Sequence, residues 1–528
     1  MGTSDISPIP ERDEVAVLKS LIDEQRTLIT AQASRITILE EQLKLATVKT
    51  FAPSSEKLSA LAQLNLFNEA EALAGADAQS ASEASATDEI EVPAHTRERG
   101  KRKPIDASLP RVRIEHDIPD ERKTCACGCQ LTRIGETTAE QFDIVPARAQ
   151  VLQHVRFKYA CRTCEGTSHD GPTVVTAPMP AQPIPKSNAS PGLLAHITTM
   201  KYADGMPLYR VEGILARAKI HVSRTTQASW MIKSGDLVLP LINLLGETQL
   251  AYDVLQMDET SVQVLKENGR PATTKSFMWV RRGGPPGQRI ILFDYAATRA
   301  GSVPMRILEE YKGYLQSDGY AAYDKPGRRD GVAHVGCLDH ARRKFVEAVK
   351  AQHAAAGAER GLAPEALLVI RRIYAIEKLA REAQMSASLR HKLRHEKARP
   401  IWDELRAWLD RSLGAAPPSS YAGKAINYLA AEWPRLIRYL DDGRLEVSNV
   451  LCENAIRPFV VGRKAWLFSD TPAGATASAR LYSIVETAKA NGLEPYAYLK
   501  LVFEKLPQAV TLADVEALLP WNVAKPTR

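Results

Sequence analysis

Apolar positions between residues 15 and 43 recur every seven residues over four heptads. One set of positions holds Val15, Ile22, Ile29, Ile36 and Leu43, and the other holds Leu18, Gln25, Gln32 and Leu39. β-Branched residues at the first set with leucine at the second are typical of a parallel two-stranded coiled coil, which the two glutamines weaken. A single amphipathic helix lying on a globular body is the alternative. Because the register persists, we predict a leucine-zipper coiled coil and a following helix over residues 12–66.

The next segment, 67–110, is predicted to be a linker. Between Glu69 and Val92, Ala, Ser, Glu and Asp leave almost no large apolar side chain, so burial cannot offset the entropy lost on ordering. A basic run follows at Arg97, Arg99, Lys101, Arg102 and Lys103. A solvated charge run is favoured here over a tether that contacts phosphates.

Three helical patterns follow a proline-rich connector, at Ser190–Tyr202, Leu208–Ala218 and Ser223–Ser234. The break between the last two is short, and Ser223 is a suitable N-cap, as in a helix-turn-helix within residues 187–240. In such a motif the start of the second helix is where base edges are read. The residues there are Arg224, Thr225, Thr226 and Gln227. An ordinary helical hairpin fits the pattern equally well.

From residue 250 the pattern changes to short apolar runs separated by turns. Three runs predict successive strands at Val254–Met257, Phe277–Val280 and Arg289–Phe293. A short helix over 303–311 separates them from strands at Tyr314–Gln316 and Val332–Val335, and a further helix begins near His340. This order predicts a mixed sheet flanked by helices over residues 250–468, with a helical insertion at about 351–440.

Composition narrows the class of protein. Apolar residues make up 45% of the 528 residues and charged residues 25%, which are ordinary values for a globular protein. No stretch approaches the roughly 18 apolar residues of a membrane helix, and the polar N-terminus does not resemble a signal peptide. Membrane and secreted classes are therefore disfavoured, and we expect a cytoplasmic protein. The net charge of +7 is too mild to identify a polyanion partner by itself.

Five of the seven cysteines lie within 40 residues, which in a reducing compartment favours metal over disulfides. Cys161 and Cys164 have the Cys-x-x-Cys spacing of half a zinc site, but their partner segment contains three cysteines. These are Cys125, Cys127 and Cys129. A tetrahedral site needs four ligands, so we predict structural Zn²⁺ in residues 111–176 on four of the five, with the idle cysteine left open. A metal-free loop is the alternative.

Two aspartates follow predicted strands, Asp258 after the first and Asp318 after the fourth. Carboxylates at the ends of central strands lie on one rim of the sheet, where open α/β folds bind ligands. Two of them can bridge a pair of divalent cations about 4 Å apart, as phosphoryl displacement requires. Mg²⁺ suits such a site because it accepts one or two carboxylates and keeps waters. Taken singly, an Asp-Gly pair at a strand end is more often a turn.

Glu453 is the third acid that we select. Ser448 or Asn449 is a suitable cap for a short helix that Pro458 ends, which would place Glu453 mid-helix, facing the sheet rim. The alternative is a surface salt bridge between Glu453 and Arg457. Cations for the scissile or flanking phosphates are predicted at Arg457, Arg463 and Lys464.

The helix that begins near His340 carries a basic cluster at His340, Arg342, Arg343 and Lys344. Phosphate contact is favoured for this cluster, and a structural or proton-transferring histidine is the alternative. Cys337 and His340 have zinc-like spacing, but two ligands do not close a site. We predict that Cys337 and Cys452 are buried small residues.

Eight blocks, in order along most of the chain, resemble the IS66 family of transposases. Near the N-terminus and in the cysteine region they are Ser54-Ser55-Glu56-Lys57-Leu58 and Lys158-Tyr159-Ala160-Cys161. Around the acids they are Met257-Asp258-Glu259-Thr260, Ser317-Asp318-Gly319-Tyr320, His340-Ala341-Arg342-Arg343-Lys344-Phe345 and Glu453-Asn454-Ala455-Ile456-Arg457-Pro458. The segment 475–522 adds the family's C-terminal blocks, at residues 483–493 and 518–522.

The resemblance implies a multidomain α/β protein with an RNase H-like core and an Asp-Asp-Glu triad on Asp258, Asp318 and Glu453. It also implies a leucine-zipper N-terminus and a zinc-binding module ahead of the core. With two Mg²⁺ or Mn²⁺ ions per site, the triad would cut the end of an insertion sequence and join it to target DNA. Implied partners are DNA and two short accessory proteins encoded beside such transposases. We also expect at least a homodimer, in the bacterial cytoplasm at the nucleoid.

Two other functions fit parts of the pattern. A catalytically inactive DNA-binding protein or repressor derived from such an element would keep the N-terminal modules, but the three acids stand in intact motifs. A structure-specific nuclease would share the catalytic core. It would not need a coiled coil, a zinc module and a helix-turn-helix to recognise two specific ends, so transposition is favoured.

Overall fold

The computed structural model describes residues 11–51, 149–160, 174–352 and 361–523. The predicted linker at 67–110 and most of the predicted zinc module lie outside these residues. All five module cysteines, Cys125, Cys127, Cys129, Cys161 and Cys164, are among those outside. The module's two described strands, β1 (Lys158–Ala160) and β2 (Val174–Thr176), pair antiparallel.

The heptad segment forms one helix, α1 (Glu11–Phe51). Five heptad side chains with described exposure are about half exposed or more, namely Ile22, Ile29, Ile36, Leu39 and Leu43. Near its end Ile38 is buried, and Glu41 accepts a hydrogen bond from the backbone N–H of Tyr421 at 3.4 Å. The helix is therefore confirmed, and its pairing with a second copy stays a prediction.

The predicted helices at 190–234 are confirmed as α2 (Pro191–Tyr202), α3 (Leu208–Arg217) and α4 (Arg224–Leu237). Ser223 caps α4 as expected, because its Oγ accepts from the Thr226 N–H at 3.2 Å. A fourth helix, α5 (Leu239–Leu250), leads into the sheet. In the described part of the chain, no helix is long and apolar enough to cross a membrane.

The five predicted strands form one mixed sheet. They are β3 (Val254–Gln263), β4 (Lys275–Gly283), β5 (Ile290–Ala296), β6 (Gly313–Gln316) and β7 (Val332–Val335). Their order is β5-β4-β3-β6-β7, in which β3, β4 and β5 are antiparallel neighbours and β6 and β7 run parallel to β3. The predicted end of β3 at Met257 was wrong. Thr260 to Gln263 continue to pair with β4, so Asp258 lies inside the strand rather than at its end.

Helices cover this sheet on both faces. The short α6 (Ser302–Ile307) and α7 (Asp324–Gly327) are followed by α8 (Leu338–Gln352), the helix predicted to begin near His340. The helical region predicted around 351–440 contains α9 (Leu362–Glu382), α10 (Ala387–Leu393), α11 (Arg399–Ser412) and α12 (Tyr421–Leu436). Val335 of β7 joins the buried cluster that α8, α9, α11 and α12 form. On the other side, α2 to α5 pack with β4, β5 and the C-terminal helices.

The C-terminal helices are α13 (Val450–Trp466), α14 (Pro472–Ala490), α15 (Pro495–Lys505) and α16 (Leu512–Glu516). Pro458 does not end α13, contrary to the prediction, since the helix continues for two turns beyond it. One face of α14 completes the open edge of β5. The Ser483 and Thr487 hydroxyls accept from the Phe293 and Ile291 N–H groups at 2.8 and 3.0 Å. The helix therefore satisfies backbone groups that a sheet edge leaves unpaired.

Candidate active site

Asp258 lies on β3, and Asp318 lies in the loop just after the neighbouring parallel strand β6. Gln256 of β3 is in register with Gln316 of β6, and their side chains hydrogen-bond at 2.7 Å. Asp258 lies two residues after Gln256, and Asp318 lies two residues after Gln316. In an extended chain, side chains separated by two residues lie on the same face. Because neighbouring strands lie about 4.8 Å apart, the two carboxylates start from adjacent places on one rim.

The start of α13 is fixed against β3 at the same place. The Asn449 amide donates to the Met257 carbonyl at 2.8 Å, and the Cys452 thiol lies 3.7 Å from the Gln256 and Val280 carbonyls. Cys452 is fully buried, as predicted. Glu453 therefore lies in the first turn of α13 rather than mid-helix as predicted, close enough to Asp258 for its charge to raise the pKa of that carboxyl.

The carboxylates at this edge of the sheet repel one another. Burial raises the pKa of the Asp258 carboxyl well above its usual range. Nearby negative charges raise it further, and they come from Glu259, Glu453 and Asp318. The Glu259 N–H donates to Asp258 Oδ1 at 2.8 Å and offsets a small part of this effect. A group of acids that repel one another in a buried rim is typical of a cation site.

Glu453 is held by groups from the start of α8. Its Oε2 accepts a short hydrogen bond from Arg343, while its Oε1 lies 3.8 Å from His340 Nδ1. Glu453 Oε1 and His340 Nδ1 are both buried and lack a hydrogen-bond partner among the described residues. Arg343 also pairs with the buried Asp339 at 2.9 Å, so it connects the two carboxylates.

Cys337 also lies at this end of α8. Together Cys337, His340 and Glu453 offer ligand atoms within 4.8 Å of one another. Cys337 is buried as predicted, and burial raises the pKa of its thiol. A closed structural zinc site needs four protein ligands, so these three side chains do not complete one.

A second layer of residues that the sequence did not indicate supports the rim. Glu259 points to the opposite face from Asp258 and accepts from Arg299 at 2.8 Å and from the Tyr323 hydroxyl at 2.5 Å. Burial raises the pKa of Glu259, and these two donors partly offset that rise. The Arg299 guanidinium stacks 3.7 Å from the Tyr320 ring centroid, and the Tyr320 N–H donates to Asp318 Oδ1 at 3.1 Å. Glu259 is thus linked to the Asp318 loop.

The Asp318 loop is also fixed from its other side. Ser317 Oγ lies 2.8 Å from Nε2 of the buried His334. Gly319 passes so close to α12 that a Cβ there would lie 2.7 Å from the Tyr428 hydroxyl. A larger residue there would require either the loop or the Tyr428 side chain to shift.

Some of the predicted DNA-binding residues are exposed, whereas others are already hydrogen-bonded within the protein. Arg224, Thr225, Thr226, Arg457 and Lys464 are exposed. Arg463 is committed to the end of β3, where it donates to the Thr260 hydroxyl at 3.1 Å. Gln227 is buried and donates to the Val222 carbonyl at 2.9 Å, so its predicted contact with bases is wrong for this conformation.

The basic cluster of α8 is divided in the same way. Arg342 is buried beside Asp339 at 3.6 Å, and Arg343, whose side chain is 41% exposed, is paired with Asp339 and Glu453, so both are bonded to acids rather than free to contact phosphates. His340 faces Glu453, which favours a role at the acids over phosphate contact. Lys344 is half-buried over the Tyr428 ring, 4.7 Å from its centroid.

Divalent cations fit this donor set. The acids are oxygen ligands that Mg²⁺ prefers, Glu453 Oε1 lacks a donor among the described residues, and added positive charge would relieve the repulsion around Asp258. A cavity of about 470 Å³ near Lys266, Glu267 and Tyr295 is lined by none of the three acids, so it is separate from this site.

Family models match four parts of the chain. The model described as Transposase IS66 family covers residues 186–477, and the IS66 C-terminal element covers 483–521. A model described as zinc-finger binding domain of transposase IS66 matches 122–165, and one described as Transposase C of IS166 homeodomain matches 38–114.

Three proteins of Sinorhizobium fredii, each described as uncharacterized, are similar over most of their length. The protein y4jD is 33% identical over 430 residues, which are 78% of this chain and 81% of the relative. The protein y4qI is 31% identical over 422 residues, 78% and 75% of the two chains. The protein y4hP is 28% identical over 477 residues, 88% and 84% of the two chains.

Proposed function

The chain belongs to the IS66 family of transposases, and we propose that it cleaves and transfers DNA strands through Asp258, Asp318 and Glu453. The observation that carries this proposal is the meeting of three acids from β3, the loop after β6 and the start of α13 on one buried rim. Burial raises the pKa of Asp258, and the charges of Glu259, Glu453 and Asp318 raise it further, which supports the binding of divalent cations here.

An RNase H-like fold is part of the proposal. Three antiparallel strands are followed by two strands parallel to the first, in the order β5-β4-β3-β6-β7. One acid lies on the central strand β3 and one follows its parallel neighbour. This arrangement supports the fold that the sequence resemblance implies, with α9 to α12 as a helical insertion within the proposed domain 250–468.

The three acids would hold two Mg²⁺ or Mn²⁺ ions. When bound, these ions would lower the pKa of the attacking hydroxyl and stabilise the leaving oxygen of the phosphodiester. Asp258 and Asp318 orient the ligand set from rigid backbone, and Glu453 completes it from α13. Arg343, which is also paired with Asp339, holds Glu453 in place from α8 and so keeps the third acid on the rim before the substrate arrives.

DNA binding is proposed to involve the exposed cations of α13, the start of α4 and the N-terminal modules. Arg457 and Lys464 would contact backbone phosphates, and Arg224, Thr225 and Thr226 would lie closest to bases. The exposed heptad face of α1 supports at least a homodimer. Structural Zn²⁺ on four of the five module cysteines, the two accessory proteins, and action at the nucleoid in the bacterial cytoplasm remain part of the same proposal.

A strand-transfer assay tests the function. Purified protein would be mixed with Mg²⁺ and a labelled duplex carrying the end of the element that encodes the chain. Joined products are expected from the wild type and from Glu382→Gln, a control acid whose side chain is 65% exposed at the end of α9, but not from Glu453→Gln. Binding without joining by the wild type, even with the accessory proteins added, would favour an inactive DNA-binding protein. Cleavage without joining would favour a nuclease.

A further inference from the structure

The outer face of α13 combines charge with unusual apolar exposure. Residues that share this face follow Glu453 at steps of three or four along the helix, so they form one stripe. They are Arg457, Val461, Lys464 and, at the end of the helix, Leu467 with Phe468. Val461 is 59% exposed, Leu467 63% and Phe468 44%. Among the described residues, Arg457 and Lys464 have no ion-pair partner.

The opposite face of the same helix is anchored, so the exposed stripe is not a loosely placed element. Phe459 packs against Trp466 and Tyr482, with ring centroids 5.4 and 5.3 Å apart. Arg463 bonds to the end of β3, and Gly462 lies against Gly205. The helix therefore presents its outer face from a rigid support.

The apolar end of the stripe is held in a strained turn. Leu467 has φ 66° and ψ −53°, and the Phe468 N–H donates to the Trp466 carbonyl at 2.9 Å. This is the rare γ-turn with positive φ, which is costly for a bulky residue. The turn is held by Ser469, whose N–H donates to the Gln263 carbonyl at 2.9 Å and whose carbonyl accepts from Leu265 at 3.0 Å. Strain of this kind concentrates at functional sites.

We propose that Leu467 and Phe468 form a wedge that enters bound DNA and unstacks a base step, while Arg457 and Lys464 grip the adjoining phosphates. Proteins that distort DNA insert such apolar side chains between base steps. Charge favours DNA over a second copy of the chain, since the wedge adjoins two unpaired cations on the helix that carries Glu453. This inference rests on the proposed function.

The helix sets the distance between wedge and acids. Leu467 follows Glu453 by 14 residues, which at 1.5 Å per residue is about 21 Å, or about six base pairs of duplex. The wedge would therefore hold DNA that flanks the cleaved end rather than the scissile phosphate itself. That placement would fix the position of the end along the rim.

The test uses 2-aminopurine, whose fluorescence rises when it is unstacked. The base is placed in turn at positions about four to about eight base pairs from the cleaved end of the element's duplex. Binding is measured without divalent metal, so the readout does not depend on catalysis. The variants are Leu467→Ala and Phe468→Ala, with Phe468→Leu as the conservative change. Leu512→Ala is the matched control, because Leu512 is 64% exposed on another helix.

The wild type, Phe468→Leu and Leu512→Ala are expected to raise the emission at one position. The two alanine variants should lose most of that rise and bind about tenfold more weakly, the scale of one lost stacking contact. Lys464→Gln should lower the salt dependence of binding by about one phosphate contact, and the exposed control Lys505→Gln should not.

Two results would overturn the wedge. In one, the alanine variants keep the full emission change. In the other, they dissociate a DNA-free dimer in sedimentation, which would assign the patch to a subunit interface. If the wild type unstacks DNA but does not join strands, the proposed function is refuted instead. If it joins strands without unstacking DNA, only the wedge proposal is refuted.

Discussion

Replacing His334 with glutamine is expected to make the strand that supports the Asp318 loop less sensitive to mild acid. The imidazole is buried on β7, with Nε2 2.8 Å from Ser317 Oγ. Burial and the positive charges of Arg435 and Arg438 lower the pKa of His334 from 6.5 to about 4, against an opposing effect of Asp324. The folded protein thus keeps a neutral histidine at a pH where the unfolded chain binds a proton.

The direction and size of the pH effect on stability follow from the difference between the folded and unfolded pKa values of His334. Because the folded pKa is depressed, the contribution of His334 to stability is complete above pH 6.5 and is lost as the pH falls towards about 4. Between about pH 7.5 and about pH 5, the loss from this one group is about 2 kcal/mol. Glutamine does not titrate and can still bond to Ser317, so the variant should not show this loss.

Hydrogen exchange measures the loss of stability at individual strands. A local measurement is needed because a chain with several modules does not unfold in one step. Corrected for intrinsic rates, protection of the β6 and β7 amides should fall about 30-fold more in the wild type than in His334→Gln over this pH range. His391→Gln, a change at an exposed histidine, should behave like the wild type. Equal losses in wild type and His334→Gln would refute the assignment of the neutral state to His334.

Three other predictions concern separate parts of the chain. Gly319→Ala should lower the rate of strand transfer at least about tenfold with unchanged helical content. The reason is that its Cβ would meet the Tyr428 hydroxyl at 2.7 Å and displace Asp318. An unchanged rate would mean that the loop tolerates the shift. Ile29→Asp should convert a dimer into monomers in sedimentation equilibrium, whereas Ala31→Asp, off the heptad stripe, should not; if both variants stay dimeric, the coiled coil is not the dimer contact. Metal analysis should find one zinc per wild-type chain and none in Cys161→Ser, and zinc retained by the variant would contradict the predicted ligand set.

The sequence was a good guide to elements whose patterns are local. The helices at 190–234 and the strand at Val332–Val335 were predicted closely, because periodicity and capping residues specify them. The end of β3 was missed because the polar residues after Met257 remain extended by pairing with β4, which the pattern of apolar residues does not show. Pro458 was misjudged for a related reason, since tertiary packing of α13 on the sheet outweighs the hydrogen bond that proline removes.

For the candidate site, the acids were accessible to sequence reasoning but their partners were not. Residues in sequence at the start of α8 were grouped as one basic surface, yet successive helical positions point about 100° apart and cannot share a face. Arg343 therefore faces Glu453 while Arg342 is buried beside Asp339. Glu259 was overlooked because only the strand's alternation, seen in the sheet, separates its role from that of Asp258.

The C-terminal blocks illustrate how a family motif can be explained by backbone chemistry. Ser483 and Thr487 of α14 and Asn491, which caps its C-terminal end, lie four residues apart, and they bond to the backbone of Phe293 and Ile291 in β5 and of Arg289 just before it. Their side chains replace a sixth strand, which accounts for polar residues in an otherwise buried helix. The block supports catalysis only by completing the sheet.

The position of the third acid depends on a single helix that has several functions. The start of α13 is bonded to β3 through Asn449, its end is bonded to β3 through Arg463, and Glu453 lies between these two anchors. The helix therefore cannot tilt without moving Glu453 relative to Asp258. Since the exposed cations lie on the same rigid helix, DNA that binds them is brought to the rim at a fixed distance from the acids. The geometry thus links DNA binding to the completion of the proposed active site.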